Sequence, residues 1–393
     1  MRRAVMIVLD SVGAGAAADL LRADNPKANT LAHVVEANSL SLPNLQRLGL
    51  GNILPLCGIL PVNKPAAAWG RMAPHSCGKD TTSGHWELAG LVLDKPLPTY
   101  AHGFPPSIIE AFTAASGRAV LGNKAASGTA IIAELGEEHL RSGALIIYTS
   151  ADSVFQIAAH EEIVPPEELY EICRKARAML VGEHGVGRVI ARPFLGQPGS
   201  FYRTGNRRDF SLAPPPGGLL ALVRRQQLPV VSVGKIVDIF AGQDISQSLI
   251  AHNNEESGQA LLLALDQTEQ GLIFANYVDF DMLYGHRNDT EGYGKALKAF
   301  DEKLPGILEK LLDDDLLLIT ADHGNDPTQP GTDHDRENVP LLIMGKKVLA
   351  QDVGLRASFA DAGATVAEWL GVGELPAGES FLNMILEDKG GLS

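Results

Sequence analysis

Five short runs along the chain are almost entirely apolar and lack the polar alternation of a half-exposed strand. They are residues 4–10, 228–234, 271–281, 315–324 and 339–345. Runs without polar alternation are typical of strands buried on both faces, as in a parallel sheet covered by helices. Between the later runs, residues 291–314 place apolar side chains three and four positions apart, which predicts an amphipathic helix. Strands that alternate with helices indicate an α/β fold on a parallel sheet.

The middle of the chain has a different pattern and is bounded by proline-rich segments at 94–107 and 213–218. Such segments are typical of domain boundaries. We therefore predict one domain formed by residues 1–98 and 216–393, and a second α/β domain, residues 99–215, inserted into it.

Composition narrows the class of protein. The chain has 393 residues, is 45% hydrophobic and 20% charged, and carries a formal net charge of −14, which argues against a broad basic face for nucleic acid. Three widely spaced cysteines argue against a disulfide framework or a zinc ribbon. The first apolar run is too short for a membrane span and ends in Asp10 without a signal-peptide cleavage pattern. We expect a cytoplasmic protein, with no membrane association and no evident protein partner.

Acidic and histidine residues collect where three of the predicted strands end. They are Asp10 after the first strand; Asp279, Asp281 and His286 after the third; and Asp322, His323, Asp326, Asp333, His334 and Asp335 after the fourth. The carboxyl ends of parallel strands meet at one edge of a sheet, and carboxylates gathered there repel one another unless cations neutralise them. Aspartate with neutral imidazole suits Mn²⁺ or Zn²⁺, and the absence of cysteine favours Mn²⁺. The convergence predicts a two-metal site, although Asp10 alone is compatible with a helix cap and Asp279 with a structural role.

The segment GKDTTSGHWE, residues 78–87, has the pattern of a helix start. Its Asp, Thr and Ser are common helix caps. A second interpretation makes one hydroxyl a nucleophile, because a helix N-terminus offers N–H groups and positive potential to a phosphate. Two neighbouring metals clamp the oxygens of a phosphoryl transfer and activate a hydroxyl. Spacing alone does not separate Thr81 from Thr82.

The segment DSVGAGAAADL imitates a dinucleotide-binding fingerprint, with Gly13 and Gly15 after a strand and Glu36 at a plausible ribose distance. Asp10 would repel a pyrophosphate unless a cation intervened, and nothing downstream resembles a hydride-transfer site. We therefore expect the glycines to allow a tight turn beside the metals.

Taken together, the chain resembles the bacterial phosphopentomutases, a family of the alkaline phosphatase superfamily, over nearly its whole length. The segments that carry the resemblance are LDSVGAG, GKDTTSGHWE, YTSADSVFQIAAHEE, GRVIARPF, VDFDMLYGHRND and ITADHGNDPTQPGTDHDRENVPLL. The resemblance implies an alkaline-phosphatase-like core with a central, mostly parallel sheet flanked by helices, plus an inserted α/β cap. It implies an isomerase that moves phosphate between C1 and C5 of ribose or deoxyribose, as in nucleoside catabolism.

The resemblance also implies roles for particular residues. One Mn²⁺ would be held by Asp10, Asp322, His323 and the nucleophile Thr81, and a second by Asp281, His286 and His334. Thr81 would carry the phosphate, primed by a hexose bisphosphate such as glucose 1,6-bisphosphate. Contacts to the sugar phosphate are implied for Ser150, Asp152, Arg188, Arg203 and Lys235.

Arg188 and Arg203 belong to a cluster that also holds Arg192, Arg207 and Arg208. Guanidinium forks match phosphate oxygens, although a cluster of arginines is also typical of a solvated basic face. Other functions stay open at this point. A cofactor-independent phosphoglycerate mutase or a metal-dependent phosphatase would share the core, although such mutases typically use serine as the nucleophile. A non-catalytic metal- or nucleotide-binding regulator would not need a nucleophile.

Overall fold

A computed structural model describes residues 2–20, 24–150 and 152–386. The strands are β1 (Arg3–Leu9), β2 (Ala68–Met72), β3 (Val120–Ala125), β4 (Leu145–Thr149), β5 (Val154–His160), β6 (Arg188–Leu195), β7 (Tyr202–Arg203), β8 (Arg208–Ser211), β9 (Val230–Val233), β10 (Gln247–Leu249), β11 (Gly271–Tyr277), β12 (Asp315–Thr320), β13 (Val339–Met344) and β14 (Asp352–Arg356). The chain forms two compact units, Met1–Pro96 with Pro214–Ser393, and Leu97–Ala213. We call them unit 1 and unit 2.

The helices are α1 (Thr30–Asn38), α2 (Pro43–Leu48), α3 (Leu50–Ile53), α4 (Thr81–Leu88), α5 (Pro106–Ser116), α6 (Gly128–Ser142), α7 (Pro166–Met179), α8 (Leu219–Arg225), α9 (Ile236–Ile239), α10 (Asn254–Gln267), α11 (Thr290–Glu309), α12 (Ala360–Leu370) and α13 (Leu382–Ile385). Short 3₁₀ turns lie at Gly182–His184 and Gly285–Arg287, and a single π-helical turn lies at Phe280–Tyr284. In the part of the chain that the structure describes, no helix has the length and apolarity needed to cross a bilayer.

Unit 1 is built on a sheet that, within the described residues, has eight strands in the order β10-β9-β11-β1-β12-β13-β2-β14. The five strands from β10 to β12 are all parallel, and β1 lies between β11 and β12. Strands β1, β11 and β12 are buried along their whole length, which explains why their sequences are continuous apolar runs. The predicted α/β class with a mostly parallel sheet flanked by helices is confirmed.

Helix α11 confirms the predicted amphipathic helix, although it ends at Glu309. Its buried apolar residues, Tyr293, Leu297, Phe300, Leu304 and Ile307, are spaced alternately four and three positions apart. This spacing places them on one face, so the helix buries a single apolar stripe. Asp301 is buried beside it and accepts a hydrogen bond from the Leu45 amide.

Two expectations about strands were wrong. The run 339–345 forms β13, but β13 is antiparallel to both of its neighbours. The connection from β12, residues 321–338, contains no helix, and a parallel return would need a crossover. The run 271–281 leaves the sheet at Tyr277, so Asp279 and Asp281 lie at and within the helical turn that follows and not on a strand.

Unit 2 has its own sheet, in the order β3-β4-β5-β6-β7 with β8 also paired to β6. One face packs on α5 and α7 around Phe112, Phe155 and Cys173. The other face packs on α6 through Ile131 and Tyr148. The expected role of residues 99–215 as a cap stays a prediction.

Candidate metal centre and nucleophile

The acidic residues of unit 1 meet because three adjacent parallel strands end together. The register places Leu9 beside Tyr277 and Val8 beside Thr320. Asp10 directly follows β1, Asp322 follows β12 by two residues, and Asp281 lies in the turn after β11. This is the edge at which α/β sheets bind ligands.

The first group of possible metal ligands is Asp10, Asp322 and His323, all buried, with ligand atoms within 4.8 Å of one another. His323 Nε2 lies 3.3 Å from Asp10 Oδ1 and 3.4 Å from Asp322 Oδ2. Thr81 Oγ1 lies 3.2 Å from the same imidazole nitrogen. The hydroxyl of Thr81 therefore lies at this group.

Two carboxylate oxygens of this group, Asp10 Oδ1 and Asp322 Oδ2, are buried and make no hydrogen bond of good geometry, and the groups beside them are imidazole nitrogens of His323 and His85 at 3.0 to 3.4 Å. A buried carboxylate oxygen without a donor is costly, so a native site normally supplies a compensating partner. A divalent cation supplies it, and carboxylate with imidazole is a suitable donor set for such an ion. The residues present therefore fit a metal.

The second group is Asp281, His286 and His334, again with ligand atoms within 4.8 Å of one another. Asp281 Oδ2 lies 3.1 Å from His286 Nε2, and its Oδ1 lies 3.2 Å from His334 Nε2. The two Nε2 atoms are 3.2 Å apart and both point at the carboxylate. The rings of His334 and His323 have centroids 4.0 Å apart, so the two groups adjoin.

The electrostatics show how much negative charge these groups concentrate. Burial alone would lower the pKa of His323, but Asp322, Asp10 and Asp281 outweigh it and raise that pKa to about 10. Burial alone would raise the pKa of Asp281, but His334 and His286 hold it well below its usual range. Each carboxylate thus favours a positive partner, as in a cation site.

In helix α4 the cap and the hydroxyl that contacts a ligand group come from different residues of GKDTTSGHWE. Asp80 is the N-cap, and its side chain accepts hydrogen bonds from Ser83 N at 3.1 Å and Ser83 Oγ at 2.6 Å. Thr81 is the first helical residue and places its hydroxyl on His323. Within the described residues, Thr82 has no such contact with either ligand group. A Cβ at Gly84 would lie 2.1 Å from the Asp322 carbonyl oxygen, so glycine lets the helix approach.

His85 and Asn276 are functional candidates that the sequence analysis missed. His85 is fully buried, and its Nδ1 lies 2.9 Å from the Thr81 carbonyl and 3.0 Å from Asp322 Oδ2. Asn276 Nδ2 donates to Asp10 Oδ2 at 2.9 Å and lies 3.2 Å from His85 Nε2. The i, i+4 spacing of Thr81 and His85 on one helix face was the available signal.

The sequence analysis also missed three residues, Glu337, Thr30 and Asn325, that hydrogen-bond the loops beside the ligand groups to one another. Glu337 is buried and accepts from Gly15 N and from Thr30 N and Oγ1. Thr30 Oγ1 in turn accepts from Asn325 N, and Asn325 Nδ2 donates to Asp281 Oδ1 at 2.9 Å. Burial raises the pKa of Glu337 to about 8. A Cβ at Gly13 would lie 2.5 Å from Glu337, so this glycine serves close packing.

The other acidic residues at this edge have structural partners. Asp279 accepts from Asn254 N at 2.8 Å at the start of α10, and Asp326 contacts His33 Nδ1 at 2.5 Å. Asp335 accepts from the Asp326 amide, and Asp333 is exposed.

The residues predicted to bind substrate are divided between the units. Ser150 and Asp152 lie between β4 and β5, and Arg188 begins β6 opposite Val154, all in unit 2. Arg203 pairs with Phe194, which lies six residues after Arg188 on β6. At the usual rise of a strand, this separates the two arginines by about 20 Å along the sheet. Lys235 follows β9 in unit 1 and, within the described chain, bonds neither ligand group.

Residues 2–374 match the model of the metalloenzyme superfamily. The phosphopentomutase of Caldanaerobacter subterraneus subsp. tengcongensis is 56% identical over 383 residues, covering 97% of this chain and 98% of the relative. That of Dictyoglomus thermophilum is 54% identical over 389 residues, 98% of this chain and 99% of the relative. Among solved structures, the PH0037 protein from Pyrococcus horikoshii superimposes with a TM-score of 0.50 at 14% identity, covering 95% of this chain and 98% of that one, which shows a shared fold.

Proposed function

The chain belongs to the phosphopentomutases, within the alkaline-phosphatase-like metalloenzyme superfamily, and from this premise we propose that it interconverts ribose or deoxyribose 1-phosphate and 5-phosphate through a phosphothreonine at Thr81. The observation that carries the proposal is the place of the Thr81 hydroxyl, 3.2 Å from His323 at the N-terminus of α4. No other hydroxyl of the segment 78–87 contacts a ligand group in the described chain. The first-turn N–H groups of α4 would bind the phosphoryl oxygens.

We further propose that the two ligand groups hold two Mn²⁺ ions, one at Asp10, Asp322, His323 and Thr81, and one at Asp281, His286 and His334. When bound, such ions supply charge stabilisation for phosphoryl transfer and lower the pKa of a coordinated hydroxyl. The chain's own contribution is to hold the ligand atoms in place. Buried carboxylates that are already fixed by neighbouring side chains and backbone amides need not reorient during phosphoryl transfer.

In the proposed cycle, phosphorylated Thr81 transfers its phosphoryl group to the free hydroxyl of the sugar phosphate and regains its own hydroxyl. The product is a pentose bisphosphate. After reorientation, the other phosphate passes to Thr81, and the isomeric monophosphate leaves. A hexose bisphosphate such as glucose 1,6-bisphosphate would supply the first phosphoryl group by the same transfer. Water must be excluded from phosphothreonine throughout, or the enzyme would be a phosphatase.

Unit 2 is proposed to act as the cap, with Ser150, Asp152, Arg188 and Arg203 contacting the sugar phosphate and Lys235 contributing from unit 1. The support is chemical: guanidinium groups bind phosphate oxygens through paired N–H donors. Arg188 is partly engaged already, because its Nη1 lies 3.5 Å from Asp209 Oδ2.

The test is Thr81→Val, which keeps the branched shape and removes the hydroxyl, with Thr82→Val as the matched control. We expect Thr81→Val to lose roughly 10⁴-fold or more of the mutase rate, as for loss of a catalytic nucleophile. The rate is followed by phosphorus NMR as ribose 1-phosphate becomes ribose 5-phosphate. Peptide mapping after incubation with glucose 1,6-bisphosphate should locate the phosphate on Thr81, with Thr82→Val still active and phosphorylated. A phosphate mapped to Thr82 or Ser83 contradicts the assignment.

The same assay separates the alternatives. A phosphatase would release inorganic phosphate in place of the isomer, and a phosphoglycerate mutase would turn over 3-phosphoglycerate and ignore ribose 1-phosphate. Either result would overturn the proposed activity.

A further inference from the structure

The hydroxyl of Tyr148 is the feature of unit 2 that the assigned residues leave unexplained. Tyr148 is 1% exposed, and in the described chain no acceptor takes its hydroxyl proton, since the Arg203 guanidinium beside it can only donate. Buried tyrosine hydroxyls nearly always find one, because an unpaired hydroxyl costs free energy. Burial raises the pKa of Tyr148, so the group is a protonated donor at neutral pH.

The hydroxyl lies against the first residue of α6. A Cβ built on Gly128 would lie 2.6 Å from the Tyr148 hydroxyl oxygen and 1.9 Å from Arg203 Nη2. Both groups therefore occupy the space in front of the helix N-terminus, and only a glycine permits it. The helix runs for 15 residues, Gly128–Ser142.

The Arg203 guanidinium, the first N–H groups of α6 and the Tyr148 hydroxyl can each donate a hydrogen bond to one acceptor placed between them. The N–H groups in the first turn of a helix have no carbonyl partner within the helix, and of these only that of Ala130 donates to the Ser127 hydroxyl in the described chain. In the described chain Arg203 has no carboxylate partner, and its charge stands at the positive end of the helix dipole. A guanidinium, a helix N-terminus and an orphan hydroxyl are mutually unfavourable unless an anion joins them.

The neighbouring arginines are held differently. Arg207 is paired in a bidentate manner with Asp209, at 2.8 and 2.7 Å, and Arg192 Nε donates to Gln156 Oε1 at 3.1 Å. Tyr148 lies opposite Gln156, and Arg192 and Arg203 project from the same sheet face. The carboxylate of Asp209 is thus already paired with Arg207 and Arg188. In the described chain the positive charge of Arg203 beside Gly128 is therefore not balanced by a carboxylate.

We propose that Tyr148, Arg203 and the N-terminus of α6 form an oxyanion site for a phosphate monoester, with Gly128 kept small so that the anion can reach the backbone. Identification of the anion as the phosphate of a sugar phosphate rests on the proposed function, whereas the anion site itself does not. It adds Tyr148 and Gly128 to the predicted substrate residues and assigns Arg203, rather than Arg188, as the principal phosphate ligand of unit 2.

The test uses the full chain loaded with Mn²⁺ and titration calorimetry with inorganic phosphate. Tyr148→Phe should weaken one class of phosphate binding about tenfold or more, as for loss of a hydrogen bond to a charged group. Gly128→Ala should abolish the same class, because its Cβ would displace the Arg203 guanidinium. Tyr202→Phe is the matched control, since Tyr202 is 57% exposed and adjoins Arg203 on β7; it should bind phosphate as the wild type does.

Thermal unfolding distinguishes this role from a structural one. Without phosphate, Tyr148→Phe should melt at or above the wild-type temperature, because a hydroxyl with no acceptor stabilises nothing. With phosphate, the wild type should gain stability and the variant should gain less. Unchanged phosphate binding in Tyr148→Phe, or a lower melting temperature in its absence, overturns the proposal.

Two further arms identify the ligand and separate this proposal from the mutase. Ribose 5-phosphate should compete with inorganic phosphate for the class lost in Tyr148→Phe, and ribose should not; competition by ribose would overturn the assignment to the phosphate group. If the wild type binds phosphate at Tyr148 but does not isomerise ribose 1-phosphate, the proposed function fails and the anion site stands. If it isomerises and Tyr148→Phe leaves KM for ribose 5-phosphate unchanged, the anion site fails and the function stands.

Discussion

The ligand groups of unit 1 and the arginine-bearing face of unit 2 differ in which buried polar atoms lack a hydrogen-bond partner. Within the ligand groups of unit 1, the atoms without a hydrogen-bond partner are two acceptors, Asp10 Oδ1 and Asp322 Oδ2. In unit 2 the unsatisfied group is a donor, the Tyr148 hydroxyl beside Arg203. Buried acceptors without donors fit cations, and buried donors without acceptors fit an anion. The unpaired carboxylate oxygens of unit 1 thus match a cation, and the unpaired hydroxyl of unit 2 matches an anion.

The two regions also differ in how firmly their charges are held. Asp10 and Asp322 are almost completely buried and fixed by Asn276 and by the Ser11 amide. Arg203 is exposed, on a two-residue strand. Loss of a buried, fixed charge removes a site, whereas changes among exposed charges act by degrees. We therefore expect larger effects from substitutions in unit 1.

The largest effect is expected for Asp322→Asn, which keeps the shape and removes the charge of the first ligand group. Outer-layer changes at metal sites cost about 10- to 100-fold in affinity, so loss of a direct ligand should cost more than about 100-fold. Titration of the metal-free variant with Mn²⁺, followed by electron paramagnetic resonance, should show one ion bound tightly in place of two.

The matched control is Asp279→Asn, a buried acid at the same sheet edge that bonds the Asn254 amide and belongs to neither group. It should retain both ions. Asp279 Oδ1 also lacks a hydrogen-bond partner, so the pair tests whether an unpaired oxygen marks a cation site only where other ligands surround it. Two tight sites in Asp322→Asn would break the comparison.

Sequence patterns predicted that Asp10, Asp281 and Asp322 gather at one sheet edge because each follows a recognisable buried strand by at most four residues. The division of the ligands into two groups was implied by the family resemblance. Sequence patterns did not suffice for His85 and Asn276, whose roles depend on how α4 packs against β11. The direction of β13 also escaped, since it depends on a connection without a helix. The isolation of the Tyr148 hydroxyl depends on the pairing of β4 with β5, which no local pattern specifies. Strand ends are local properties of the sequence, and packing between elements is not.

An intermediate effect is expected for His85→Ala, since His85 positions ligands without belonging to either group. Its loss frees the Thr81 carbonyl and leaves Asn276 without one of its partners. Affinity for Mn²⁺ at the first group should fall about 10- to 100-fold, with the second group unchanged. His85→Asn, whose amide can replace the Nδ1 donor, should restore most of the loss. Equal weakening of both groups, or no rescue by Asn, would indicate a general packing role instead.

The smallest effect is expected in unit 2, for Asp209→Asn. Burial alone would raise the pKa of Asp209, but Arg207, with Arg188 and Arg192 behind it, holds that pKa below its usual value. A depressed pKa stabilises the folded chain above the unfolded-state pKa, and this contribution disappears as the pH falls through the folded value. The variant should therefore lose about 1 kcal/mol at pH 7 and progressively less as the pH falls from about 4, the unfolded-state pKa, through the lower folded pKa, below which the wild-type carboxylate is also protonated. Thermal melts across this pH range measure the difference.

The control is Glu134→Gln, which removes the exposed ion pair with Lys124 and should cost about 0.5 kcal/mol or less. A loss of stability in Asp209→Asn that does not depend on pH would mean that Asp209 acts through packing. Pairing with a carboxylate would then not be what distinguishes Arg207 from Arg203.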